Sequence, residues 1–237
     1  MRVSSRRIDP SENRLLAALP DEELERLVPS FQKTSFSLGD VVYEFGGRLS
    51  YVYFPTTSIV SLLYTMENGA TAEMGLTGND GVVGIALFMG GETMPNRAVV
   101  QSAGDAVRMK AKVLQEEFKV GGQFQRLLLR YTQALITQIS QTAVCNRLHS
   151  VEQQLCRWLL LSHDRVSTDE LIMTQELIAD MLGVRREGVT VAAGHLQDIG
   201  AISYVRGRIQ ILDRQKLEDT ACECYRVVKD EFDRLLR

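Results

Sequence analysis

The short run RREGVT, residues 185–190, and the pair Arg206 and Arg208 carry the side chains best suited to recognising another molecule. An arginine can donate two hydrogen bonds to guanine, and a carboxylate can accept one from cytosine N4. Arg185, Arg186, Glu187 and Thr190 are therefore of types that suit reading base edges. Arg206 and Arg208 suit phosphates, where a guanidinium positions a protein without reading sequence. From 185 to 208 there are four arginines against Glu187 and Asp198, a net +2, in a chain of net −3. The basic charge is local, as expected for DNA binding confined to one face.

Those side chains need elements to hold them. Thr174 can cap a helix start, and Glu176 places negative charge near that positive end. Leu177, Ile178, Met181 and Leu182 follow at helical spacing. Gly183 can take the left-handed conformation that ends a helix. A second apolar set, Val189, Ala192, Ala193, Leu196 and Ile199, predicts another short helix after the turn. Ala179, Gly183 and Val189 form the skeleton of a helix-turn-helix: a small residue, a turn glycine and a buried aliphatic. An ordinary helical hairpin with a solvated charged edge would share this pattern. The next segment, AISYVRGRIQIL, separates the two, because its alternation around Arg206-Gly207-Arg208 predicts a hairpin of two short strands. A hairpin directly after a recognition helix is a wing.

The remaining chain has a different texture. Residues 11–29 predict one or two short helices, with Asp21 as a cap. From about residue 34 to 111, β-rich runs alternate with glycine-bearing turns every ~8–12 residues, which argues for a compact β-barrel, roll or sandwich. Helical periodicity returns over 112–149, broken at Gly121-Gly122 into a short and a long helix. The long helix carries one stripe, Leu127, Tyr131, Ala134, Gln138, Gln141, Cys145 and Leu148, and a second with Leu128, Leu135 and Ile139. Two apolar faces need two partners, and we expect the β-domain to cover one and a second subunit the other. Residues 151–165 predict a helix that begins the DNA-binding part. Residues 214–237 predict one final amphipathic helix, expected to pack on its own domain.

Several function classes are excluded or disfavoured. A hydrophobic content of 45% with 24% charged residues is that of an ordinary soluble globular protein. No apolar run approaches the ~20 residues that span a bilayer. The first residues, MRVSSRRIDPSENRLL, lack the apolar core of a secretory signal, so a cytoplasmic location is expected and no membrane partner. The four cysteines, Cys145, Cys156, Cys222 and Cys224, do not suggest a disulfide framework. Cys222 and Cys224 have C-x-C spacing, but within a continuous helix they would point about 200° apart. One packed and one near the surface is the expectation, with no metal site and no cofactor. His149, His163 and His195 lie in no setting that suggests a catalytic pair, so no enzyme is expected.

A β-roll, a long helix and a winged helix-turn-helix, in that order, resemble the Crp/Fnr family of bacterial transcription regulators. The resemblance is carried by TQELIADMLGVRREGVT with its wing, and by LGDVVYEFGG, YFPTTSIVSLL and PNRAVVQ in the front half. It implies an α+β fold: a cyclic-nucleotide-binding-like jelly roll over 1–122, a dimerisation helix over 123–149 and a winged helix-turn-helix domain over 150–237. It also implies a homodimer on a two-fold symmetric site in double-stranded DNA, contact with RNA polymerase if the protein activates, and a small-molecule effector in the β-roll. By position, Thr174 and Gln175 match residues that touch phosphates, and Arg186 and Glu187 match residues that read bases. Thr190 and Val191 match a pair that is often Ser-Arg or Gly-Arg. Val191 is a departure, although an apolar side chain could meet a thymine methyl. Gly188 and Gly194 within the recognition helix each cost about 1 kcal/mol relative to alanine.

The sensor half departs further from the family. Asn96, Arg97 and Ala98 are the candidate ligand-binding residues, with Arg97 where cyclic-nucleotide-binding relatives keep a phosphate arginine. Val82 stands where they keep a ribose glutamate, and Ala98 lacks the neighbouring hydroxyl. Weak or absent cyclic-AMP binding is expected, because a site built on hydrogen bonds loses affinity when they are missing. Arg97 would serve equally as a structural arginine paired with a carboxylate. The N-terminal cysteines that hold an iron–sulfur cluster in the Fnr branch are missing, and nothing supports haem. A competing reading keeps the β-roll as a module for a cyclic nucleotide or other small molecule, acting through protein partners.

Overall fold

The computed structural model describes residues 9–236; the basic stretch at residues 1–8 lies outside them. Two short helices open the described chain, α1 (Arg14–Ala17) and α2 (Asp21–Leu27). Asn13 caps α1 by accepting from Leu16 N–H, and its buried amide donates to the carbonyls of Pro55 and Gly81. Asp21 does not cap α2: the extended Pro20 (φ −56°, ψ 142°) precedes the helix, and Asp21 is its first residue. There its charge still favours the positive helix end.

Among the described residues, seven strands build the front half: β1 (Phe31–Phe36), β2 (Val41–Tyr43), β3 (Tyr51–Pro55), β4 (Ile59–Thr65), β5 (Thr71–Thr77), β6 (Arg97–Ser102) and β7 (Gly104–Lys110). The short helix α3 (Ala86–Met89) lies between β5 and β6. The strands form two antiparallel sheets, ordered β1-β7-β3 and β2-β6-β4-β5. Val52, Phe54 and Met109 from one sheet and Ile59, Val60 and Ala98 from the other are fully buried. The alternation of apolar and turn residues is thus realised as a β-roll.

Helix α4 (Ala111–Val120) and the long α5 (Gly122–Leu148) follow. Between them Gly121 and Gly122 both have positive φ (83° and 85°), which L side chains resist. On α5, Leu127, Tyr131, Ala134, Gln138 and Cys145 are buried, as are Leu128 and Leu135. Both predicted stripes are therefore largely used within the chain. Gln141 is half-buried, and Leu148 is exposed. A different face exposes Leu129, Ile136 and Val144.

The last third comprises α6 (Val151–His163), β8 (Glu170–Ile172), α7 (Gln175–Leu182), α8 (Arg186–Asp198), β9 (Ile202–Val205), β10 (Arg208–Ile211), α9 (Arg214–Thr220) and α10 (Glu223–Leu235). Ser150 and Gln153 form a reciprocal capping box that starts α6. The single terminal helix expected over 214–237 is in fact two, because Ala221 (φ −66°, ψ 155°) and Cys222 (φ −77°, ψ 165°) are extended. No glycine or proline marks that break. α10 also does not pack only on its own domain: it lies chiefly against α5, and secondarily against α6. Its buried face, Tyr225, Val228, Phe232 and Leu235, is what occupies one side of α5.

The two halves are joined by polar contacts as well as apolar ones. Trp158 Nε1 donates to Glu73 Oε1 at 3.2 Å, and Gln101 Nε2 donates to Ser162 Oγ at 3.0 Å. Arg165 reaches Asp80 in the loop after β5. A Cβ on Gly78 would lie 2.6 Å from the Arg165 side chain, and one on Gly81 would lie 2.2 Å from the Tyr131 ring. Only glycine lets that loop close over both side chains.

Candidate nucleic-acid interface

α7 starts at Thr174, whose Oγ accepts from Leu177 N–H at 3.2 Å. It stops at Gly183, which is left-handed (φ 66°, ψ 33°). Val184 N–H donates to Ala179 O, and Gly183 N–H donates to Asp180 O. This pair of bonds satisfies carbonyls that a helix end otherwise leaves unpaired. Val189, Ala192, Ala193 and Leu196 bury the inner face of α8 against Ile178, Ala179 and Met181 of the same core. Ala179 is 4% exposed, so a small side chain is what the close approach of α7 and α8 requires.

The outer edge of α8 is polar and open. Arg185, Arg186, Glu187, Thr190 and Val191 line it, and Val191 is exposed by 74%. Arg185 occupies the cap position in extended conformation, with no side-chain cap bond. Arg186 lies 3.7 Å from Glu176 of α7, and both side chains are more than half exposed. Exposed ion pairs contribute ~0–1 kcal/mol, so this one is readily exchanged for another partner. Thr190 Oγ donates to Gln175 Oε1 at 2.8 Å, which ties the start of α7 to the first turns of α8.

The wing has three strands, not two, in the order β8-β10-β9. β8 is only three residues long, too short to show a period. The β9–β10 connection is the two-residue turn Arg206-Gly207, with positive φ at both positions (50° and 78°). That is the hairpin turn whose twist matches its strands. Arg206 is the only non-glycine with positive φ among the described residues. Arg208 lies in β10 and pairs with Glu170 of β8 at 2.7 Å. Gly207 O accepts from Met173 N–H, and a Cβ on Gly207 would sit 3.7 Å from Thr174 Cγ2. The wing turn, the cap of α7 and the edge of α8 therefore adjoin one another, through Gly207 against Thr174 and Gln175 against Thr190. Tyr204 braces this junction by donating its hydroxyl to Met173 O at 2.7 Å; burial pushes that phenol up to about 12.

The candidate ligand residues of the β-roll are not presented together. Ala98 is fully buried, and Asn96 is buried with its amide donating to Tyr43 Oη at 3.0 Å. Arg97 is the most accessible of the three, and its Nε lies 3.2 Å from Glu44. Val82 is in the core. The residues that sequence reasoning missed are those joining the halves, Glu73, Asp80, Trp158 and Arg165. Their partners lie 85 positions away, beyond any local pattern.

Comparison with known proteins agrees with this geometry. A family model described as the Crp-like helix-turn-helix domain matches residues 153–220. No curated protein matches the sequence. Among solved structures, FixK2 from Bradyrhizobium japonicum is similar over 81% of this chain and 98% of its own, at 18% identity and a TM-score of 0.67. A CRP-family transcriptional regulator from Thermus thermophilus, TTHB099, is similar over 79% of this chain and 96% of its own, at 17% identity and a TM-score of 0.65. CLP of Xanthomonas campestris, described as a c-di-GMP-responsive global regulator, is similar over 81% and 99% respectively, at 14% identity and a TM-score of 0.63. At these identities the similarity is one of fold. Among the described residues, no helix is long and apolar enough to cross a membrane. The chain shares the fold of these regulators over most of its length, and residues 153–220 form a Crp-like helix-turn-helix domain.

Proposed function

We propose that this protein regulates transcription in the cytoplasm as a homodimer that binds a two-fold symmetric site in double-stranded DNA. The observation that carries the reading is the adjacency of the α8 edge, the α7 cap and the wing turn. The N-terminal residues of a recognition helix face base edges in the major groove. Arg186 and Glu187 are assigned to bases, and Val191 to a thymine methyl. Thr174, Gln175, Arg185, Thr190, Arg206 and Arg208 are assigned to the backbone and groove edge. Arg208 would exchange Glu170 for a phosphate.

The exposed strip Leu129, Ile136 and Val144 supports α5 as the two-fold contact. Two recognition helices would then need to lie about 34 Å apart to enter successive major grooves. In this reading residues 1–122 sense, 123–149 join the subunits and 150–237 bind DNA. The effector of the β-roll is a small molecule other than cyclic AMP held in the usual way, since a buried valine, Val82, stands where a ribose glutamate would be needed and Ala98 offers no surface. RNA polymerase would be a further partner of an activator. Selection of bound duplexes from a random library tests the reading. A recovered two-fold site supports it. A folded chain that enriches no sequence, with or without a cellular small-molecule extract, would sink it.

A further inference from the structure

The terminal helix break that the sequence conceals brings four metal-ligand atoms together. Cys145 lies in the last turn of α5, and His149 follows four residues later as the residue that ends that helix. Cys222 stands just before α10, and Cys224 is in its first turn. Because Cys222 is extended rather than helical, the C-x-C pair is not splayed; both cysteines are buried on one side. One ligand atom from each of Cys145, His149, Cys222 and Cys224 lies within 4.8 Å of all the others. Cys145 Sγ and Cys222 Sγ are 3.4 Å apart, and Cys224 Sγ and His149 Nδ1 are 3.6 Å apart. Tetrahedral zinc, with Zn–S of about 2.3 Å and Zn–N of about 2.0 Å, sets these edges at roughly 3.5–3.8 Å.

We propose that Cys145, His149, Cys222 and Cys224 form a structural zinc site that staples the end of α5 to the start of α10. Four protein ligands leave no open position, so the site is of the closed, structural kind. Its surroundings fit that chemistry. The three cysteines form their own small buried cluster, apart from the main hydrophobic core. His149 Nε2 lies 3.4 Å from Glu223, so a ring bound through Nδ1 would donate its other N–H to a carboxylate. Three thiolates with Zn²⁺ leave one net negative charge, and the buried Arg157 guanidinium, which donates to Thr142 one turn before Cys145 on α5, is the nearby positive charge to offset it. A surface cleft lined by Gln215, Asp219, Cys222, Glu223 and Arg226 offers entry. Each thiol gives its proton to solvent as its bond to zinc forms. The site depends on no assumption about which DNA is bound. Its place beside the α5–α6 junction means that the metal would brace the link between the long helix and the DNA-binding domain.

The test is metal uptake by the reduced, full-length protein, with zinc and with cobalt as a spectroscopic substitute. One equivalent per chain is expected, and cobalt should show tetrahedral d–d bands with thiolate charge transfer. Cys224→Ser and His149→Ala should lose the site, whereas Cys156→Ser, which removes the cysteine outside the cluster, should keep it. Glu223→Gln, at an exposed position that leaves the fold intact, should weaken affinity by about 10- to 100-fold. Three results would overturn the proposal: a folded, reduced chain that binds well under one equivalent, binding that survives Cys224→Ser, or a Cys145–Cys222 disulfide whose reduction restores no metal uptake.

Discussion

Asp80 and Arg165 face each other as a buried two-point ion pair, with Nη2–Oδ2 at 2.7 Å and Nε–Oδ1 at 3.0 Å. Asp80 belongs to the β-roll and Arg165 to the segment just beyond α6. The same guanidinium donates to Leu161 O at 2.7 Å and lies over the Phe232 ring at 5.1 Å from its centroid. One side chain thus ties the β-roll, α6 and α10 together. Removing one member leaves an uncompensated buried charge, which costs about 3–5 kcal/mol. Asp80→Ala should lower unfolding stability in urea by that order, and adding Arg165→Met should restore part of it. A loss from Asp80→Ala below ~1 kcal/mol, the value of an exposed pair, would contradict this role.

Glu73 makes this junction sensitive to pH. Burial pushes its carboxyl up to about 7, against an ordinary value of 4.5, although the bond from Trp158 and the charge of Arg157 oppose the rise. Trp158 Nε1 donates to Oε1, while Oε2 is buried without a partner. The folded state binds this proton more tightly than the unfolded state does. Stability from it is therefore full below about pH 4.5 and is lost as pH rises through about 7, at roughly 1.4 kcal/mol per pKa unit gained. Glu73→Gln should flatten the fall in thermal midpoint between about pH 5 and pH 8 relative to the parent protein. Identical slopes for the two proteins would show that Glu73 does not titrate in this window.

The two classes of arginine should separate in binding assays. Arg186→Ala is expected to cost about 1–3 kcal/mol and to relax base choice at one position of each half-site. Arg208→Ala should weaken binding to all sequences alike and reduce the salt slope by about 1. A change in sequence preference from Arg208→Ala would remove the wing from its assigned role.

The exposed strip on α5 predicts the oligomeric state. Ile136→Glu places a charge at the centre of Leu129, Ile136 and Val144, all more than 40% exposed in the single chain. Sedimentation should then report a monomer with unchanged helical content, and affinity for a two-fold site should fall sharply. A dimer that survives the substitution would place the contact elsewhere.

Neither glycine of α8 is enforced by crowding within the chain. A Cβ on Gly194 meets nothing within 4 Å, and one on Gly188 meets only Val151 at ordinary contact distance. Gly194→Ala should therefore stabilise the domain by about 1 kcal/mol in thermal or urea unfolding. Unchanged or lower stability would mean that α8 strains at that position.

The parts of the interface that can be read without coordinates are those that local chemistry sets. Thr174, Gly183 and the period of α7 and α8 act within a few residues, as do Arg206-Gly207 and the alternating wing strands. The β-roll is legible only as a class, because turns announce strands but not which strands pair. The Cys222–Cys224 geometry is misjudged from the sequence, since nothing between Thr220 and Glu223 signals a break. The extended Ala221 and Cys222 arise where α10 turns to lie along α5.

Local patterns suffice for the order of β-rich and helical segments, for the paired short helices with their wing, and for the side chains that line their exposed edge. Each of these follows from periods of two or 3.6 residues and from turn chemistry confined to neighbours. Other relations exist only once the chain has folded on itself: α10 covers α5, Asp80 meets Arg165, Leu129 and Ile136 are left outside, and Cys145 and His149 meet Cys222 and Cys224. They join residues separated by tens of positions. They depend on how whole faces compete for burial, a contest that no local window of sequence contains.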